Sequence, residues 1–204
     1  MLDSQQIVLL QDRLTAAWHR AETTAEAAEA NSWLELVARQ HRANFDLWHI
    51  EDEARDPLAT DAQMASTKRR IDRTNQLRND LVEQIDESLL HWLAERGLPN
   101  PAAPLHSETA GLIVDRLSIL SLKIFHTREQ AERADASQGH RERNLTRLTV
   151  LKEQRTDLAQ CLGGLWEETL AGARRFKLYR QMKMYNDPAL NPAIYGKTGS
   201  RAGA

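Results

Sequence analysis

Hydrophobic residues recur at helical spacing along most of the chain, whereas the alternating pattern typical of strands is rare. This pattern predicts an all-α protein, an antiparallel bundle of four to five helices with a polar network in its core. The first helix is predicted to start after Asp3 or Ser4. Its apolar face carries Ile7, Leu10, Leu14 and Trp18.

The second helix is predicted from capping signals. Ser32 and Glu35 have the spacing of a capping box, which favours a helix that starts at Trp33. Pro57 ends this helix, because the residue before a proline avoids the α region. The Ala/Glu-rich residues 22–31 either continue the first helix or form a helical connector.

Three further helices follow. The predicted bounds are Thr60 to Gly97, Glu108 to about Ala134 with Ser107 as its cap, and about Arg141 to Lys183 after a loop at residues 135–139. The fourth helix is apolar nearly all round, as expected at the centre of a bundle. We expect one domain over residues 1–185 and an irregular, partly disordered tail over 186–204, which contains two Asn/Asp-Pro turn signals.

Composition narrows the class of protein. The chain has 204 residues, 27% of them charged, and a net charge of −2, so there is no global argument for nucleic-acid binding. The single cysteine excludes an internal disulfide and suits a reducing compartment, so we expect a cytoplasmic protein. The sequence contains no apolar run of about 18 residues, and no membrane insertion is expected.

Polar side chains interrupt the apolar faces of the second and third helices. Winding each helix at about 100° per residue places them on the same stripe as valines and leucines. They are His41, Asn44, Glu51 and Arg55 on the second helix, and Asn75, Asn79 and Asp86 on the third. Burying such groups costs several kcal/mol unless they are paired or bound. The stripe therefore predicts either a hydrogen-bonded network or a site.

Four carboxylates could form a metal site. Glu83 and Asp86 lie one helical turn apart, and Glu51 and Asp52 lie on the helix expected opposite them. Oxygen ligands favour Mg²⁺ or Mn²⁺, so all four are candidate metal ligands, and Glu51 and Glu83 are candidate catalytic groups. The alternative is that each carboxylate is a surface or ion-paired residue.

Cations accompany these acids. Arg55, Arg78, Arg116 and Lys123 either neutralise carboxylates such as Asp115 or face an anionic ligand such as a phosphate. His126 lies on the side of the fourth helix that carries Asp115. The basic, aromatic stretch 174–185 is either a solvated helix face or a phosphate contact.

The histidines give weaker signals. His41 faces inward and is either a satisfied core residue or a ligand, whereas His49 on the other side of the helix is expected to face solvent. Zinc is not expected, because the chain has one cysteine and no clustered histidines in its sequence. Paired Glu-x-x-His motifs of di-iron bundles are also missing.

Four segments resemble the bacterial domain-of-unknown-function 4254 family. They are HRANFDLWHIEDEARDP (41–57), IDRTNQLRNDLVEQID (71–86), DRLSILSLKIFH (115–126) and FKLYRQMKMYNDPALNP (176–192). The resemblance implies a bacterial helical protein, often encoded near glycan-assembly enzymes, and assigns no catalytic residues. Glu83 and Asp86 are also similar to half of the metal motif of MazG-type nucleotide pyrophosphohydrolases, but the adjacent Glu51 and Asp52 depart from the other half.

Two functions follow from these observations. In the first, an internal polar pocket binds a phosphorylated small molecule such as a nucleotide or nucleotide-sugar; if the protein is an enzyme, the reaction is Mg²⁺-dependent hydrolysis of a phosphoanhydride. His41, Asn44, Asn75, Asn79, Asp115 and His126 are its candidate polar contacts, beside the cations named above. In the second, the protein is a non-catalytic interaction or scaffold protein, a homo-oligomer among the options, whose polar network is structural.

Overall fold

The computed structural model describes residues 2–20 and 33–182, and these form five α-helices. The helices are α1 (Ser4–His19), α2 (Trp33–Glu53), α3 (Asp61–Ala94), α4 (Ala110–Glu132) and α5 (Gln138–Leu170). Outside them, the described part of the chain has one isolated β-bridge, between Leu105 and Arg175. The predicted all-α bundle is confirmed.

The fourth helix lies at the centre of the bundle. It packs against α1, α2, α3 and α5, as its nearly all-apolar surface predicted. The core around it is built from branched aliphatic side chains of several helices. Those that are fully buried include Ile7, Ile85, Leu89, Leu117 and Leu162.

Local capping signals set several helix ends as predicted. The Asp3 carboxylate accepts hydrogen bonds from the first turn of α1, and Thr60 forms a capping box with Gln63 at the start of α3. Gly97 has the positive φ of 70° expected where α3 ends. The predicted cap of α4 was wrong: Thr109, not Ser107, accepts the hydrogen bond from the Leu112 N–H.

The end of α5 differs most from the prediction. The helix stops at Leu170 instead of continuing to Lys183, because Gly172 adopts a φ of 69° and Ala173 N–H bonds the Glu168 carbonyl at 2.8 Å. This is a Schellman ending, which only a residue without a Cβ adopts at little cost. The chain continues in extended form and buries Phe176 in the core. The basic helix predicted from residue 174 is therefore absent through Met182.

Some predictions fall outside the described residues. These are the connector at 22–31, the cap Ser32, and the tail at 186–204.

Candidate functional site

A buried carboxylate organises the polar stripe. Asp115 on α4 is 4% exposed and receives hydrogen bonds from α2 and α3. Its Oδ1 accepts from Gln40 Nε2 at 2.6 Å and from Asn44 Nδ2 at 2.9 Å. Arg78 binds both carboxylate oxygens, through Nε at 2.8 Å and Nη2 at 2.5 Å. This contact raises the pKa of Arg78 and compensates the charge of Asp115.

The network continues from α2 to α1 through a neutral histidine. Asn44 also donates to Ser118 Oγ at 2.9 Å, and Ser118 Oγ lies 2.7 Å from His41 Nδ1. Thr15 Oγ1 lies 2.9 Å from His41 Nε2 and donates its own proton to the Gln11 carbonyl. His41 Nε2 must therefore carry the ring proton, and Nδ1 accepts from Ser118. Burial lowers the pKa of His41 to about 3. Of the two interpretations of His41, the structure matches the satisfied core residue.

One end of this network faces a pocket between α2, α3 and α4. The pocket has a volume of 220 Å³, and its wall combines apolar side chains with polar groups. Trp48, Leu47, Ile119 and Leu122 supply the apolar part, and Asn44, Glu51, Asp52, Arg55 and Arg78 supply the polar part. Five residues that the sequence predicted as site residues therefore lie around one cavity.

Arg55 lies at the rim of the pocket, and its ion pairs are exposed to solvent. Arg55 donates to Asp52 at 2.9 Å and lies 3.7 Å from Glu51. Its side chain is 67% exposed, so these ion pairs contribute little to stability. An anionic ligand could therefore replace the carboxylates as the partner of Arg55 at small cost.

Comparison with known proteins places the chain in a family. The family described as "Protein of unknown function (DUF4254)" matches residues 34–178, which include the pocket and most of the buried network. The chain belongs to the DUF4254 family. No curated protein and no solved structure matches it. The likeness to MazG-type enzymes finds no support in these comparisons and stays a prediction.

Two of the predicted metal ligands in this DUF4254 chain lie away from the pocket. Glu83 accepts hydrogen bonds from Arg180 Nη1 at 3.2 Å and from Gln181 N–H at 2.8 Å. Asp86 is buried and accepts from Gly111 N–H at 2.7 Å, at the start of α4. Within residues 2–20 and 33–182, no three of the four predicted metal-binding carboxylates have oxygen atoms within 4.8 Å of one another.

Burial and close packing define the environment of Asp86. Burial raises the pKa of its carboxyl group to about 6, against the opposing effect of hydrogen bonds from Thr109 and Gly111. A Cβ on Gly111 would lie 2.6 Å from the Val82 carbonyl oxygen and 2.9 Å from the Asp86 carboxylate. Glycine is thus required for α3 and α4 to approach at this point.

The other predicted residues take separate positions. Asn75 Oδ1 lies 3.4 Å from Arg78 Nη1, and Asn79 is partly buried on the same helix. Arg116 pairs with Glu108 at 2.9 Å on the surface instead of with Asp115. Lys123 is exposed and lines a neighbouring surface cavity together with His126. None of these side chains contributes to the wall of the pocket.

Sequence reasoning missed two groups of residues. Gln40 and Thr15 belong to the buried network, and the position of Gln40 one turn before Asn44 was an available signal. The second group is a cluster of His19, His49 and His126, of which the sequence had indicated only His126 as a candidate contact. The expectation of a solvated His49 was wrong, because its side chain is partly buried. This burial, together with the neighbouring His19 and His126, lowers the pKa of His49.

Among the described helices, none combines the length and apolar character that a bilayer crossing requires.

Proposed function

We propose that the pocket between α2, α3 and α4 binds a small phosphorylated molecule of the nucleotide or nucleotide-sugar type. The observation that carries this proposal is the presence of two arginines, Arg55 and Arg78, beside Trp48 in one cavity of 220 Å³. Ligand pockets typically combine an apolar wall with a few convergent polar groups. A phosphate suits the arginines, and the apolar part of the ligand suits the tryptophan wall.

The two arginines have complementary roles in this proposal. Arg78 is held in place by Asp115 and Asn75, which engage three of its five N–H donors in the described structure. A prepositioned guanidinium loses little entropy when it binds an oxyanion. Arg55 at the rim exchanges its exposed carboxylate partners for the ligand phosphate.

Binding is the part of this function that the geometry supports. Hydrolysis of a phosphoanhydride through Mg²⁺ would need the acids to share an ion near the ligand. Glu51 and Asp52 lie at the pocket, but Glu83 and Asp86 have partners elsewhere. A link to glycan assembly rests on the family resemblance alone. Binding of a nucleotide-sugar would test that link.

The test is titration calorimetry with inorganic phosphate, UDP and UDP-glucose. Wild-type protein should bind UDP or UDP-glucose more tightly than phosphate, and Arg55→Gln should weaken that binding about 10- to 100-fold. Arg42→Gln is the matched control, because Arg42 forms an exposed ion pair with Asp46 on the same helix outside the pocket. Absence of binding by all three compounds, or an equal loss in both variants, refutes the proposal.

A structural role is the second candidate function. It is favoured by the continuous hydrogen-bonded path from Thr15 through His41, Ser118 and Asn44 to Asp115. Such a network fixes the relative positions of α1, α2, α3 and α4 without any ligand. Under this alternative, Asp115→Asn lowers the melting temperature strongly, and none of the three compounds changes that of the wild type.

A further inference from the structure

Three imidazoles from three helices meet at one end of the bundle. His19 is the last residue of α1, His49 lies in α2 and His126 in α4. One ring nitrogen from each lies within 4.8 Å of the other two. Aromatic rings surround the cluster: Phe125 stacks on His19 at 4.1 Å, and Trp48 stacks on His126 at 4.7 Å. These contacts hold the imidazoles in a partly buried position.

Hydrogen bonds fix the proton on two of these rings. His19 Nδ1 lies 2.7 Å from the Thr15 carbonyl oxygen, which can only accept, so Nδ1 carries the proton. His126 Nδ1 lies 2.9 Å from a Glu129 carboxylate oxygen, which fixes the same tautomer when the carboxylate is ionised. In both rings, Nε2 therefore presents a lone pair.

These two Nε2 atoms have no partner in the described structure. Both are buried and neither makes a hydrogen bond. A buried acceptor without a partner costs about 1–3 kcal/mol, so two in one cluster need an explanation. A cation that accepts both lone pairs would remove this cost.

We infer that His19, His49 and His126 form a binding site for a divalent transition-metal ion of the Zn²⁺ class. Imidazole suits such ions, whereas the carboxylate site expected from the sequence would have taken Mg²⁺. The contacts of Nδ1 with Thr15 and Glu129 are the outer hydrogen bonds that metal-binding histidines make.

The size of the cluster is compatible with this ion. In a tetrahedral site with bonds of about 2.0–2.1 Å, nitrogen ligands lie about 3.3 Å apart. The three nitrogens lie within 4.8 Å of one another, so metal binding would require them to approach by up to about 1.5 Å. Three histidine ligands leave a fourth position open for water or a ligand. The inference is independent of phosphate binding, although Trp48 contacts both His126 and the pocket.

The test is metal binding by the purified full chain after treatment with a chelator. Wild-type protein should take up about one Zn²⁺ per chain in calorimetry, and Co²⁺ should give the intense visible absorption of tetrahedral coordination. His49→Ala and His126→Ala should each weaken Zn²⁺ binding more than about 100-fold. His140→Ala is the matched control, because its Nε2 is also buried without a partner but lies outside the cluster.

A milder variant keeps the test decisive if a histidine variant fails to fold. Glu129→Gln leaves all three ligands in place and should weaken Zn²⁺ binding about 10- to 100-fold. Glu132→Gln, an exposed residue near the end of the same helix, should leave the affinity unchanged. No Zn²⁺ uptake by the wild type, or equal binding by wild type, His49→Ala and Glu129→Gln, overturns the inference. Neither outcome depends on binding of UDP or phosphate.

Discussion

Arg78 on α3 and Asp115 on α4 form a two-pronged ion pair, with Nε bonded to Oδ1 and Nη2 to Oδ2. The Asp115 side chain is 6% exposed, so the Arg78 guanidinium supplies most of the compensation for its charge. Removal of one partner of a buried pair costs about 3–5 kcal/mol, because the other charge stays buried without compensation. Loss of either partner of this pair should therefore destabilise the protein strongly.

The first prediction concerns the loss of this pair. Arg78→Met should lower the free energy of unfolding by about 3–5 kcal/mol in urea titrations. Arg42→Met, which loses an exposed ion pair and the contacts of the guanidinium with Trp18 and Phe45, should cost about 1–2 kcal/mol. The double variant Arg78→Met/Asp115→Asn should be more stable than Arg78→Met, because it removes the uncompensated charge and keeps an amide oxygen as acceptor for Gln40 and Asn44. A double variant less stable than Arg78→Met would contradict this interpretation.

The second prediction concerns the close approach of α3 and α4. Gly111→Ala should destabilise the protein by about 1–3 kcal/mol, because the new Cβ meets the Val82 carbonyl and the Asp86 carboxylate. Gly164→Ala should instead stabilise it by about 0.5–1 kcal/mol, because Gly164 lies inside α5 with nothing within 4 Å of the added Cβ. The midpoints of thermal unfolding of the two variants should therefore shift in opposite directions. Midpoint shifts of the same sign would show that α3 and α4 move apart to accommodate the added Cβ at Gly111.

The third prediction concerns pH and His41. Its pKa is about 3 in the folded protein and 6.5 as the ordinary value. Below pH 6.5 the unfolded chain binds a proton that the folded protein excludes, so stability falls by about 1.4 kcal/mol per pH unit toward pH 3. His41→Gln is expected to be less stable at pH 7 but to lose stability less steeply below pH 6.5.

Urea titrations at several pH values measure this difference. His91→Gln is the control, because the His91 side chain is 81% exposed and its removal should leave the slope unchanged. Parallel curves for wild type and His41→Gln would contradict a buried, neutral His41.

The fourth prediction concerns Asp86, whose effect on the pH dependence of stability is opposite in sign to that of His41. Its folded pKa of about 6 lies above the ordinary value of 3.8, so the folded protein binds the proton more tightly. The stability from this group is complete below about pH 3.8 and is lost as pH rises through 6. Asp86→Asn, which avoids the buried charge, should add about 1–3 kcal/mol at pH 8.

This gain should disappear toward pH 4, where the wild-type carboxyl group is also neutral. Asp46→Asn on the exposed face of α2 should show no such pH-dependent gain. If Asp86→Asn raised the free energy of unfolding equally at pH 4 and pH 8, the ionisation of Asp86 would not be the cause of the gain.

The helices and their order could be predicted because the signals for them are local. The caps at Asp3 and Thr60 and the positive φ of Gly97 depend on residues within one or two turns. The all-round apolar surface of α4 likewise predicted its central position. The end of α5 at Gly172 had a local signal too, the glycine itself, which the predicted helix to Lys183 did not take into account.

Many residues of the candidate site could be predicted as well. Which of them contact one another could not be predicted. Asn44, Glu51 and Arg55, which the sequence placed on one helical face, line one pocket together with Arg78, which was proposed as a phosphate contact. Arg116 was considered as the partner of Asp115, yet Arg78 takes that position from another helix. Helical periodicity assigns a side chain to a face but does not determine which residue of another helix lies opposite it.

Local patterns in the sequence predict an all-α chain with polar groups on inward helix faces, because helical periodicity and capping act over a few residues. The packing of the helices against one another sets the contact of Asp115 with Arg78, the position of Asp86 at the start of α4, and the convergence of His19, His49 and His126. These contacts depend on the rotation and axial position of each helix against its neighbours. Packing of the whole core sets both quantities, and no local pattern encodes them.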